Sequence, residues 1–124
     1  MNKDMTIEEF VQYWMENKPF KSPQTDGVRF VKDSQGVVLY RDHPFQVELF
    51  TIEPNSIVKP HTHPNVDTIV IYVSGDIDFQ RKHKWYNHPF DMFRGRLPYP
   101  AIKISSGVKH AARTGPEGGC FITI

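Results

Sequence analysis

The sequence holds a single cysteine, Cys120. One thiol cannot close an intrachain disulfide, and no cysteine-rich zinc site can be built from it. Long apolar runs are also missing. No segment approaches the length of a transmembrane helix, and Met-Asn-Lys-Asp-Met at the start leads into an amphipathic stretch rather than a signal peptide. A reducing, cytoplasmic setting is therefore the expectation. Excess charge of one sign is the third absence. Fifteen basic residues against fourteen acidic ones leave a formal charge of +1, which argues against bulk capture of nucleic acid or an anionic membrane. No internal repeat or low-complexity tract interrupts the chain.

What is present fits one folded domain over residues 1–124. Hydrophobic residues at 39% and charged residues at 23% match a folded chain and not a disordered one. Ten prolines and eight glycines lie between short apolar runs. Such punctuation suits an all-β chain with many turns.

The one substantial helix is predicted over 6–17. Thr6 followed by Glu9 has the form of a capping box. Ile7, Phe10, Val11 and Trp14 recur at helical spacing, giving one apolar stripe that packs on the barrel or on a partner subunit. Pro19 and Pro23 stop the helix and begin an extended connection. From Val28 the pattern becomes strand and turn. VRFVK, GVVLYRD and FQVELFTIE are rich in β-branched and aromatic residues, with turns at Asp-Ser-Gln-Gly and His43-Pro44. SIVKPHTH and VDTIVIYVSG follow, and Gly75-Asp76 reads as a tight turn into DIDFQ. Residues 81–100 lack periodicity and read as a long loop or loose hairpin. AIKISSGVKHAAR and GGCFITI supply closing strands.

Parity links several of these residues. His61, His63, Asp67, Ile69, Ile71 and Val73 are all odd-numbered and would share one face of a regular strand unless Pro64-Asn65 bends it. Val66, Val70 and Tyr72 make the opposite face apolar too. A strand buried on both faces needs a second packed layer or a subunit interface. The interface is the expectation, which makes the chain a two-fold homodimer.

The chemistry concentrates in PHTHPNVDTIVIYVSG, Pro60 to Gly75. Two histidines one residue apart on a strand point the same way, so both imidazoles can reach one ion. Asp67 keeps the same parity and can join as a further ligand, or orient a histidine from behind. ISSGVKH adds His110 after a glycine turn. Other residues offer less. His43 reads as a turn residue, and His83 and His88 as members of a solvated loop. Arg81, Lys82 and Lys84 either steer an anionic substrate or keep a hairpin edge soluble. Arg94 and Arg96 pose the same choice. Cys120 reads as an inert core thiol.

His61, His63, Asp67 and Gly75 resemble the first motif of the cupins: His-x-His, then an acid, then glycine. Gly107 and His110 resemble the second, Pro-x-Gly-x-x-His. The resemblance runs from Val28 to Ile124 and leaves the N-terminal helix outside. Asp67 stands where the family has Glu, the gap to Gly75 is one residue longer, and no glycine opens motif one, where Asn55 and Ser56 lie. Ser105 replaces the motif-two proline and Thr114 the usual Asn. The resemblance implies an antiparallel, jelly-roll-like β-barrel with one N-terminal helix. It also implies one divalent metal ion held by His61, His63, Asp67 and His110.

Imidazole with carboxylate suits iron, manganese, nickel, copper or zinc alike. The expectation is a metal-dependent enzyme of dioxygenase or isomerase type, acting on a small polar or anionic molecule. The alternative is a non-catalytic ligand-binding or structural barrel, since this architecture hosts many activities. No Cys-His or Ser-His-Asp arrangement offers a metal-free route, and no catalytic residue is assigned.

Overall fold

The computed structural model describes residues 4–19, 21, 28–31, 34–94, 96–97 and 99–124, with the backbone alone at 28–31 and 34. The stretch 22–27, where the connection through Pro23 was expected, lies outside the described residues.

Helix α1 spans Ile7–Asn17. Thr6 caps it as its sequence predicts: Thr6 Oγ1 accepts from the Glu9 amide at 3.1 Å, and Glu9 Oε1 accepts from the Thr6 amide at 2.9 Å. Two otherwise orphaned donors are thereby satisfied. Phe10, Val11 and Trp14 are buried. At the far end Lys18 turns left-handed and Pro19 follows, where Trp14 Nε1 donates to the Pro19 carbonyl at 3.1 Å.

Eight strands follow among the described residues: β1 (Val28–Val31), β2 (Ser34–Asp42), β3 (Phe45–Ile52), β4 (Ile57–His61), β5 (Thr68–Arg81), β6 (Lys84–Tyr86), β7 (Ala101–Ile104) and β8 (His110–Thr123). Their pairings are antiparallel in the order β1-β2-β3-β8-β5-β6, with β4 on β8 and β7 on β5. Two long strands build both layers. The first part of β8 lies between β4 and the end of β5, and its last part between β3 and the start of β5. Among the described residues the sheet therefore folds over on itself in a jelly-roll-like way without closing into a complete ring.

The corner sits at Gly75, where β5 continues through a register shift instead of making the tight turn expected there. Gly75 has φ +88°, and a Cβ on it would stand 2.3 Å from the Gly118 carbonyl oxygen. Only glycine permits both the dihedral and that approach.

Two apolar clusters result. One fills the interior with Ile52, Val70, Ile77, Phe79, Phe90, Ile102, Ile104, Ala112 and Phe121. The other lies between the sheet's outer face and α1, joining Phe10, Val11 and Trp14 to Tyr40, Val47, Ile69 and Ile71. Burial of apolar area on this scale is the main force holding such a chain together. A salt bridge from Lys103 Nζ to Glu8 at 2.7 Å pins the helix further, and this hydrogen bond holds the Glu8 carboxyl below its ordinary pKa.

The second layer over β5 is thus α1 of the same chain. Val70 faces inward and Ile69 and Ile71 face the helix, so their double burial does not require a partner subunit. No helix among the described residues is long and apolar enough to cross a membrane.

Candidate metal centre

Three histidines from two strand ends and one loop meet at the edge of the interior cluster. His61 ends β4, His63 follows in the loop, and His110 opens β8. His61 and His110 are cross-strand partners. One ligand-capable atom of each of the three lies within 4.8 Å of the other two. The ring centroids are 4.2 Å apart for His61 and His110, and 5.0 Å for each pair that includes His63.

The hydrogen bonds orient two of these rings. His61 Nδ1 lies 2.8 Å from the Lys59 carbonyl oxygen, and His110 Nδ1 lies 3.0 Å from that of Val108. A carbonyl can only accept, so each Nδ1 carries the proton and each neutral ring keeps its Nε2 lone pair available. That is how metal-ligating histidines are commonly held. His110 is buried, at 6% exposure, while His63 stands open to solvent. Loss of hydration, nearly full around His110 and only partial around the more open His63 ring, pushes the pKa of both below the ordinary imidazole value, and the neighbouring histidines add to the effect. The donor set therefore fits a divalent transition metal: three convergent imidazoles, two of them directed by a backbone carbonyl.

Asp67 is held by a contact of its own. It is not part of the group of three, and its Oδ1 accepts a hydrogen bond from the Ser106 amide at 2.8 Å. Residues 62–67 form no strand, so the parity shared by His61, Asp67 and Ile71 does not carry through the loop. The same loop is tied a second time where the Gly107 amide donates to the His63 carbonyl at 2.9 Å. Asp67 thus joins the loop bearing His63 to the loop that leads into His110.

Thr114, a departure from the family motif, is a connector. Its Oγ1 accepts from the Ser56 amide at 2.9 Å and donates to the Glu53 carbonyl at 2.6 Å, fixing the start of β4 on β8. His88 is paired with Asp78 at 2.7 Å, well away in sequence from the histidine group. Glu48, given no role by the sequence pattern, is buried at 3% exposure on β3 with Gln46 Nε2 donating to it at 3.3 Å. Alternating apolar neighbours concealed it, because one acid in FQVELFTI reads as a solvent-facing strand position.

No protein-family model matches the sequence. No curated protein sequence matches it either. Solved structures do match the fold. KdgF from a Halomonas species superposes with a TM-score of 0.66 at 14% identity, covering 85% of this chain and 91% of that one. An RmlC-like cupin from Shewanella frigidimarina gives 0.64 at 13% identity, covering 84% and 86%. A predicted oxalate decarboxylase from Thermotoga maritima gives 0.62 at 14% identity, covering 85% and 95%. The chain has the cupin fold.

Proposed function

We propose that this chain is a metal-binding cupin that holds one divalent ion through His61, His63 and His110. The observation that carries this is the convergence of three imidazoles within 4.8 Å, two of them with Nδ1 committed to a carbonyl and Nε2 left to ligate. Asp67 then serves the site as the tie between the two ligand-bearing loops, where its Oδ1 already has a donor.

An ion bound there would supply Lewis acidity or, for a redox-active metal, electron transfer. The chain's own residues set the surroundings. Lys59 and Val108 carbonyls fix the rings, the apolar interior beneath His110 lowers the local dielectric, and His63 leaves one side open. An open side favours an exchangeable site over a closed structural one, and on that ground we favour a metal-dependent enzyme, of dioxygenase or isomerase type, for a small polar or anionic molecule. The second reading is a non-catalytic ligand-binding cupin using the same three histidines. A cytoplasmic setting is in keeping with the lone cysteine, whose thiol pKa is raised by burial.

Metal analysis of protein purified without chelator, with anomalous scattering at the ion, tests the site. One equivalent centred on the three imidazoles is expected, and its absence after supplying manganese, iron or zinc would sink the reading.

Self-association as a homodimer belongs to this proposal. With Ile69 and Ile71 under α1, its support is the exposed apolar set Ile57, Val66 and Val73, at 72%, 54% and 46% exposure. Light scattering returning a 14.4 kDa monomer at micromolar concentration would contradict it.

A further inference from the structure

The register of the inner face sets a different kind of group beside the histidines. Phe79 of β5 and Val58 of β4 both pair with Ala112 of β8, and all three belong to the interior cluster. Two residues further along an unshifted pairing returns to the same face. Arg81 pairs with His110 in that uninterrupted register, so both face the interior. Directly opposed residues of an antiparallel pair hold their Cβ atoms about 4.5–5.5 Å apart. With His61 opposite His110 on the other side, Arg81, His110 and His61 stand abreast across β5, β8 and β4.

The guanidinium is anchored by neutral groups. Nη1 donates to the Lys103 carbonyl of β7 and to Met92 Sδ, each at 3.2 Å, and Nη2 donates to the Tyr86 hydroxyl at 3.2 Å. No carboxylate among the described residues forms an ion pair with it. Its Nε–H and one Nη2 hydrogen make no hydrogen bond to a described residue. A half-buried guanidinium without a counter-charge is an unusual thing to retain, because hydrogen bonds to neutral groups and the Tyr86 ring 5.7 Å away offset its desolvation only in part. The two uncommitted hydrogens belong to a planar group whose fork geometry matches a carboxylate.

We propose that Arg81 is an anion-binding residue beside the histidine group, and that its ligand is a small carboxylate reaching from the guanidinium toward the three histidines. Carboxylate suits the place better than phosphate. The fork serves two oxygens, the full set of a carboxylate, whereas a phosphate's further oxygens would find only the Tyr86 hydroxyl as a donor among the groups that hold the guanidinium. This assignment deepens the metal-binding reading and rests on it for the ligand's second contact only; the guanidinium's own contact does not need the ion.

Malonate is the probe, with malonamide as its neutral counterpart and phosphate as the competing anion, each titrated calorimetrically into zinc-loaded and metal-free protein. Wild type is expected to bind malonate at least about tenfold more tightly than phosphate and malonamide. Arg81→Gln should weaken malonate by at least about tenfold, and Arg81→Lys by less, since charge remains without the fork. Zinc affinity, measured separately, should hold in both variants. Equal malonate affinity in wild type and Arg81→Gln overturns the assignment, as does a wild type that ignores malonate or takes phosphate or malonamide equally well. If wild type binds no zinc, the metal reading fails alone. The metal-free titration then still decides Arg81, a loss in Arg81→Gln supporting it and equality overturning it. Should Arg81→Gln not fold, Arg81→Lys carries the comparison, and undiminished malonate binding there overturns the proposal.

Discussion

His61 and His110 face each other across the β4–β8 pairing with ring centroids 4.2 Å apart, and each ring gives its Nδ1 proton to the carbonyl two residues before it. The repeated bond means that each ring takes its direction from its own backbone, and the ladder then sets the distance between them. His63 lacks that support within the sheet and depends on the loop bonds around it.

Removing a ring should therefore cost metal affinity without unfolding the chain. His61→Ala and His110→Gln are expected to weaken zinc by more than about 100-fold, exceeding the roughly 10–100-fold typical of outer partners. His43→Ala, in the β2–β3 turn, serves as the unaffected control. Competition against a chelator measures the affinities, and circular dichroism of the metal-free forms checks the fold. A His110 variant that binds zinc like wild type would remove it from the site.

Asp67 offers a sharper separation. As the acceptor for the Ser106 amide, it can be replaced by Asn, whose amide oxygen also accepts. Asp67→Asn is then expected to change zinc affinity by less than about tenfold, while Asp67→Ala frees the loop and costs about 10–100-fold. A direct ligand behaves differently: Asn would be as damaging as Ala, and Asp67→Glu would bind at least as well as wild type. The same chelator competition across the three variants tells the two roles apart.

The contrast between His61 and Asp67 also marks how far the sequence was legible. The helix with its cap, the strand content, the cupin resemblance and the clustering of three histidines could be read, because each depends on local spacing or side-chain type. Parity failed where it was carried from His63 through residues 64–67, since periodicity holds only while the chain is extended. Parity set Ile69 and Ile71 on the face of the histidines and left the opposite face, with Val66, Val70 and Tyr72, as the reason to expect a second layer or a partner. Instead Val70 lies in the interior and Ile69 and Ile71 lie under α1, and sequence cannot say that a helix over fifty residues earlier returns to cover them. Arg81 was ambiguous for a similar reason. Only the β5–β8 register sets it beside His110, and register is a long-range property.

Gly75 and Gly107 provide a paired test of the corner. Both have positive φ, +88° and +78°, but a Cβ at Gly107 would meet nothing within 4 Å whereas one at Gly75 would strike the Gly118 carbonyl. Gly107→Ala should cost only the left-handed backbone penalty, about 1–2 kcal/mol. Gly75→Ala adds a backbone collision and should cost clearly more, about 3–4 kcal/mol or enough to prevent folding. Denaturant unfolding of both variants measures the difference, and equal losses would show that the corner relaxes freely.

Acid stability should depend on Asp78. Its Oδ1 accepts from the His88 amide at 2.8 Å and faces the His88 ring Nδ1 at 2.7 Å, while Oδ2 accepts from Arg113 Nε at 3.2 Å. Burial pushes this carboxyl's pKa up, but the bonds from His88 and Arg113 pull it down and together prevail, leaving it below its ordinary value. A carboxyl whose pKa is lower folded than unfolded binds its proton more readily in the unfolded chain. Its contribution is therefore fully present above the unfolded value of about 3.9 and is lost as pH falls through the lowered folded value. Asp78→Asn has no such proton to take up. The variant should be less stable than wild type at neutral pH, with the gap narrowing between about pH 5 and pH 2. Arg113 and His88 are partly exposed, so salt should shrink the gap as well. Urea midpoints collected at several pH values test this, and a variant whose curve runs parallel to wild type at every pH would show that the pairing contributes nothing to acid resistance.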